Sequence, residues 1–243
     1  MKNTKVKLYL KCIIFLFTCL IEAQDYEKKT LTTSPFVGVK VYSGIKLKLI
    51  YSDVNKAVVK GPQSDDVFLS TSNNILQIKI PLGSIPDSIP TQIDLYHSRL
   101  LNEITVYQGA EVTSLEPIRQ TSLKLTSRTG GVMKVEIYAD RLDVFANLGG
   151  RSELAGAVSN LNLKVNTGGS CEAEQLQTEQ VQAKMMGGGY AYVFVSELLE
   201  AQIIGGSVLR VYGSPIKKIL QKKLWGKIYF EKLIEASSGF EPL

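Results

Sequence analysis

The sequence is poor in the side chains that most metal and nucleophile chemistry needs. It has one histidine, His97, and three cysteines among 243 residues. Structural zinc takes several His or Cys ligands, so no metal site is expected. A Ser-His-Asp or Cys-His arrangement would have to recruit His97. No G-x-S-x-G elbow accompanies it in "LYHSRLLNE", and His97 reads as a locally bonded residue at a strand end. Cys12 and Cys19 fall in an N-terminal leader, which leaves Cys171 alone. One cysteine makes no internal disulfide, so packing must hold the fold. Cys171, beside a glycine turn, reads as inert. The calcium-binding G-G-x-G-x-D repeat is missing as well, since "GGGYAYV" carries no Asp. Charge of one sign is also scarce. The net charge of +5 sits partly on Lys2, Lys5, Lys7 and Lys11, and partly on Lys217, Lys218, Lys222, Lys223 and Lys227. No nucleic-acid partner is expected from so mild an excess. Catalytic, cofactor-binding and metal residues are all expected to be none.

Long apolar runs are confined to the start. "MKNTKVKLYLKCIIFLFTCLIEAQ" has a basic beginning, an apolar stretch from Leu8 to Ile21, and small Ala23 before Gln24. That layout predicts a secretory signal peptide over residues 1–23, cleaved after Ala23. The alternative is lipidation at Cys19. The stretch is short of the ~20 apolar residues a membrane span needs. No transmembrane segment is expected after cleavage, so the mature protein is expected to be exported.

What the sequence does have is recurring glycine. Pairs stand at Gly130-Gly131, Gly149-Gly150 and Gly168-Gly169, then Gly187-Gly188-Gly189 and Gly205-Gly206. Seven, five and three residues before Gly130 stand Leu123, Leu125 and Ser127. Before Gly149 they are Leu142, Val144 and Ala146; before Gly168, Leu161, Leu163 and Val165. Counted from Gly188 they are Val181, Ala183 and Met185, and from Gly206 they are Leu199, Ala201 and Ile203. The in-phase spacings are 19, 19, 20 and 18 residues. Strict alternation is a half-buried strand, and a strand-plus-turn unit of this period is a solenoid. No helical stripe follows the turns. The expectation is an all-β, right-handed parallel β-helix (β-solenoid) with ~19-residue coils. Gly130, Gly149, Gly168, Gly188 and Gly206 are the structural turn residues, supplying a positive φ at each corner. Asn147 and Asn166 hold equivalent places and suggest a side-chain ladder. Gly109 stands 21 residues before Gly130, so the stack extends backward into a less regular N-terminal sheet region. The expected domain spans residues 32–230, followed by a disordered tail, 231–243. "PLGSIPDSIPTQ" reads as a loop.

The order "FVGVKVYSGIKLKLIYSD", "VVKGP", "NNILQIKIP", the Gly-Gly coils and "LRVYGSPIKKI" resembles the head GIN domain of bacterial autotransporter adhesins, from about Ser34 to Tyr229. The resemblance implies an exported all-β protein of the Gram-negative envelope, in the periplasm, at the outer membrane or on the cell surface, without an assigned activity. One departure is "QKKLWGKIYF", with a single glycine, Gly226, where family members are often Gly-rich. Only fourteen residues follow Tyr229, so no self-contained membrane barrel is expected.

Solenoids of this kind often host polysaccharide lyases and hydrolases, so carboxylates matter. Asp140 and Asp143 in "YADRLDVF" would point to opposite faces unless a turn intervenes; they read either as an acid–base pair or as solvated turn residues. Glu172 and Glu174 share a face, expected to be the outer one. Aromatics gather at Tyr190, Tyr192, Phe194, Tyr212, Trp225, Tyr229 and Phe230. Tyr190 and Tyr192 are the candidate ligand contacts; cross-strand pairing or capping of an open end also accounts for such residues. "IKKILQKKLWGKIYF" reads as the closing strands, against an amphipathic basic helix on a membrane. The expected function is a non-catalytic, adhesin-like binding or structural module contacting a glycan or an envelope protein through solenoid faces. The alternative is a carbohydrate-active enzyme using Asp140 and Asp143.

Overall fold

The computed structural model describes residues 27–42, 44–81 and 89–231. The leader over 1–23, the tail beyond Glu231, and most of the proline-rich stretch lie outside these residues.

The described chain is one 18-stranded sheet wound on itself. In order the strands are β1 (Lys29–Thr32), β2 (Gly38–Val41), β3 (Ile45–Tyr51), β4 (Lys56–Lys60), β5 (Phe68–Ser72) and β6 (Ile75–Lys79). Then come β7 (Thr91–His97), β8 (Glu103–Tyr107), β9 (Glu111–Ser114), β10 (Ile118–Arg128), β11 (Val132–Asn147) and β12 (Arg151–Asn166). The series ends with β13 (Ser170–Met186), β14 (Tyr190–Phe194), β15 (Leu198–Ile204), β16 (Val208–Tyr212), β17 (Lys217–Lys223) and β18 (Lys227–Phe230). Beyond them the described residues hold one 3₁₀ turn, Ser64–Asp66, and no α-helix.

The parallel register is the one the glycine spacing implies. Leu125 faces Val144, Val144 faces Leu163, Leu163 faces Ala183 and Ala183 faces Ala201. The inward columns are mainly apolar and buried, as at Leu125, Leu163 and Ala183. Burying one such aliphatic side chain contributes roughly 1.5–3 kcal/mol. The buried hydroxyls of Ser127 and Ser152 satisfy each other across the lumen, 2.9 Å apart. The extra residue of the 20-residue coil does not sit at the turn. It is a bulge in mid-coil, where register slips between Glu153 and Ala155 against β13.

The glycine pairs do two different jobs. Gly130, Gly149, Gly168, Gly188 and Gly206 have φ between 70° and 84°. The residue before each is also left-handed, including Thr129, Leu148 and Thr167 at φ 53°, 51° and 44°. Two such residues in succession make a type I′ turn, closed for example by the Gly150 N–H on the Asn147 carbonyl at 3.0 Å. Each corner therefore needs two positive φ values where one was expected. The glycine that follows at Gly131, Gly150, Gly169 and Gly189 has an ordinary φ but no room. A Cβ on Gly150 would lie 2.1 Å from the Ser127 carbonyl oxygen, and one on Gly169 would lie 2.5 Å from that of Ala146. The expected Asn ladder is not made. Asn147 Oδ1 is buried without a partner, and the corners stack through main chain instead, with Gly130 N–H on the Leu148 carbonyl at 3.2 Å and Gly168 N–H on Gly187 at 3.1 Å.

The N-terminal strands join the same stack, but out of chain order. β2 lies between β6 and β8, and β3 lies between β7 and β9. Antiparallel β5 covers β6, and β4 with β1 covers β7, so the first coil is closed by hairpin-like pairing. At the other end "IKKILQKKLWGKIYF" is strand, as β17 and β18, and the helical reading is overturned. Glu231, assigned to the tail on sequence, is held instead: its N–H bonds the Val211 carbonyl at 2.8 Å and Arg210 donates to its carboxylate.

Two substitutions separate the two glycine roles. Gly149→Ala should cost roughly 1 kcal/mol, the penalty of an L-residue in the left-handed region. Gly150→Ala should cost roughly 3 kcal/mol, because backbone must move to admit the methyl. Urea unfolding checks the order; equal losses would mean the close approach is not limiting.

Candidate functional site

The side of the solenoid that follows each glycine corner carries the richest outward chemistry. Alternation turns Ala191 and Val193 of β14 inward, fully buried, and leaves Tyr190, Tyr192 and Phe194 outward and half-buried. The parallel register then sets Tyr192 beside Arg210 of β16, and Arg210 beside Tyr229 of β18. Phe194 stands beside Tyr212. The Tyr190 and Tyr192 ring centroids are 5.5 Å apart, and the Arg210 guanidinium lies 5.4 Å from the Tyr229 ring centre. Burial, with Glu174 and Glu231 nearby, pushes the Tyr212 phenol above its ordinary range.

Tyr190 is anchored. Its hydroxyl donates to Glu172 Oε1 at 3.1 Å, while Arg151 Nη2 donates to Glu172 Oε2 at 2.9 Å. Arg151 also meets Glu153 at 3.0 Å, and Lys134 meets Glu153 at 3.5 Å. Single exposed pairs contribute little, but this chain of charges fixes the tyrosine's position. Glu172 and Glu174 do share the outer face, and with Glu116, Glu136 and Glu153 they line a cleft of about 430 Å³. Among the described residues no group of carboxylates, His or Cys is set to hold a metal ion.

Asp140 and Asp143 lie in different surroundings, one exposed and one hydrogen-bonded. Asp140 is exposed, at a gap in the pairing of β11 with β10 and β12. Asp143 Oδ1 accepts from Arg141 Nη2 at 3.0 Å and from Asn162 Nδ2 at 2.9 Å, while Oδ2 accepts from Arg141 Nε at 3.0 Å. The Arg141 hydrogen bonds hold the Asp143 carboxyl below its ordinary range. A general acid needs the opposite shift.

His97 is 8% exposed, with Nδ1 2.9 Å from the Arg99 carbonyl and Tyr51 edge-on at 5.7 Å. It lines a second cleft of about 400 Å³ with Leu49, Tyr51, Leu101 and Ile118. Sequence reasoning missed this cleft, because its walls come from four separate strands and loops. It also missed Arg210 as a member of the aromatic face, although stepping one coil from Tyr192 would have found it. Cys171 is fully buried, and burial pushes its thiol up to about 12.

The family profile described as "Putative auto-transporter adhesin, head GIN domain" matches residues 35–215. Solved structures share the fold. A putative adhesin from Bacteroides fragilis is 18% identical, with a TM-score of 0.76, covering 86% of this chain and 98% of its own. A putative lipid binding protein from Parabacteroides distasonis is 16% identical, with a TM-score of 0.65, over 86% and 98%. A putative adhesin from Parabacteroides merdae is 17% identical, with a TM-score of 0.65, over 87% and 97%. No curated protein matches in sequence.

Two measurements check these surroundings. Burial pushes His97 below its ordinary 6.5, so the unfolded chain takes up its proton first as pH falls. That component of stability is complete above about pH 6.5 and declines as pH drops from there toward the folded value. Urea titrations at pH 7.5 and 5.5 should show a loss that His97→Gln abolishes. In protein expressed from Gln24, Cys171 should resist a thiol reagent at pH 8 until denaturant is added.

Proposed function

We propose that this protein, which belongs to the head GIN domain family of auto-transporter adhesins, is an exported, non-catalytic, adhesin-like module that binds an envelope or surface glycan on its aromatic face. The observation that carries the reading is the ordered row Tyr190, Tyr192, Arg210 and Tyr229 across β14, β16 and β18. Aromatic rings offer flat apolar area at small entropic cost, with a polar tip for a hydroxyl partner. Arg210 adds a planar donor fork for ring oxygens or an acidic substituent. Tyr190 is already immobilised by Glu172 and Arg151, so little ordering remains to be done on binding. The family name supports a surface role, and two structural relatives are themselves described as adhesins.

The test is a glycan-array screen of the secreted protein, with mass spectrometry of every polysaccharide that binds. Saturable binding is expected, weakened at least about tenfold by Tyr192→Ala and unchanged by Asp143→Asn, with no new reducing or unsaturated ends. Oligosaccharide release that Asp143→Asn abolishes would replace this reading with a carbohydrate-active enzyme. Absence of any glycan binding would move the aromatic face to a protein partner.

A further inference from the structure

The last coil differs from every coil before it. β17 pairs only with β15, and β18 only with β16, among the described residues. Among these residues, one edge of each strand therefore presents open N–H and C=O groups. All seven residues of β17 are exposed. By register Lys218, Leu220 and Lys222 occupy the column that holds Leu199, Ala201 and Ile203 one coil earlier. The apolar lumen thus ends in lysine, with the Lys218 ammonium 4.5 Å from the Phe230 ring centre. Lys217, Lys218, Lys222, Lys223 and Lys227 have no carboxylate partner among the described residues, and the sequence from Pro215 to Phe230 contains no Asp or Glu.

The corner of this coil is also anomalous. Trp225, the one tryptophan of the sequence, stands where the other corners have Gly130, Gly149, Gly168, Gly188 and Gly206. It adopts φ 64°, a left-handed conformation that is strained for a bulky side chain. It is 85% exposed, next to Leu224 at 66%. Packing does not account for a strained, exposed tryptophan where glycine serves elsewhere. Such backbone strain gathers at sites that bind, and Trp is the residue type most enriched among binding anchors.

We propose that this end of the solenoid docks an extended, acidic peptide segment of a partner protein, which adds as the next strand on β17 with Trp225 as its anchor. The open edge offers main-chain hydrogen bonds, and alternate side chains of an added strand would meet the lysine row. Charge decides the occupant. A second copy presenting the same end would bring five lysines against five lysines, which blocks self-pairing. An acidic strand meets the same row with attraction. The proposal is independent of the glycan reading, which uses a different side of the coil.

The test uses the full-length protein and a labelled peptide of alternating Glu and Val, of strand length. Binding is expected, with intrinsic Trp225 fluorescence changing in step and affinity falling as salt rises. N-methylation of alternate peptide amides should abolish it, and a Lys-Val peptide should not bind. Trp225→Gly should weaken binding at least about tenfold while keeping or raising the melting temperature, since it restores the residue used at the other corners. Lys222→Glu should weaken it similarly, and Tyr192→Ala should leave it unchanged. The proposal is overturned if the acidic peptide does not bind, or if Trp225→Gly leaves binding intact. It is equally overturned if phosphatidylglycerol vesicles blue-shift Trp225 where the peptide does not, or if sedimentation finds a dimer that Trp225→Gly dissolves.

Discussion

Everything in this structure depends on the corner between coils. Two successive left-handed residues reverse the chain in a type I′ turn, and the next residue must pass under the backbone of the coil below. The Gly150 Cα has Ser127 main chain so close that a methyl would overlap it. This constraint sets the length of the coil. Once the corners stack, the columns on either side are in register, and every inward position falls on an inward position one coil away. The corners themselves are bonded main chain to main chain, from Thr129 and Gly130 onto Asn147 and Leu148. Side chains at the corner are therefore free of structural duty, which is why Thr, Leu and Gly interchange there.

The same regularity turns a linear pattern into a surface. Residues about nineteen apart become neighbours on adjacent strands, so an outward column is a sparse reading of the sequence. Lys134, Glu153, Glu172, Tyr192, Arg210 and Tyr229 form one such column. Its first half is a charge-paired stretch and its second half an aromatic stretch with one arginine. The first half lines the cleft of about 430 Å³ with Glu136 and Glu174. Asp143, the carboxylate most open to a catalytic reading, has both oxygens occupied by Arg141 and Asn162.

The two ends of the stack are managed in opposite ways. At the first coil, antiparallel β5, β4 and β1 cover the parallel strands and remove their open edges. At the last coil nothing among the described residues covers β17 and β18, and lysine replaces aliphatic residues in the inward column. A parallel sheet with an apolar interior and a bare edge is a template for aggregation. Lysine solves that problem against like-charged copies while leaving the edge chemically available, and Trp225 gives that availability a direction.

The sequence by itself determined the coil. Alternation at Leu142, Val144 and Ala146, repeated against fixed glycine positions, specifies strand, face and period, because only one period keeps all apolar columns inward. The pairing of Tyr190 with Tyr192 was legible for the same reason, being two residues apart on one strand. Tertiary structure alone decided what no local pattern carries. The insertion of β2 between β6 and β8, and of β3 between β7 and β9, is a long-range pairing that no local pattern records. Arg210 joined the aromatic face through register across a shortened coil. The extra residue near Glu174 went to a bulge in mid-coil and not to the corner, where an added Cβ on Gly169 would already lie 2.5 Å from main chain. Asn147 was misread as a ladder residue because sequence shows which side chains align, and not whether the main chain has already used the bonds they would make.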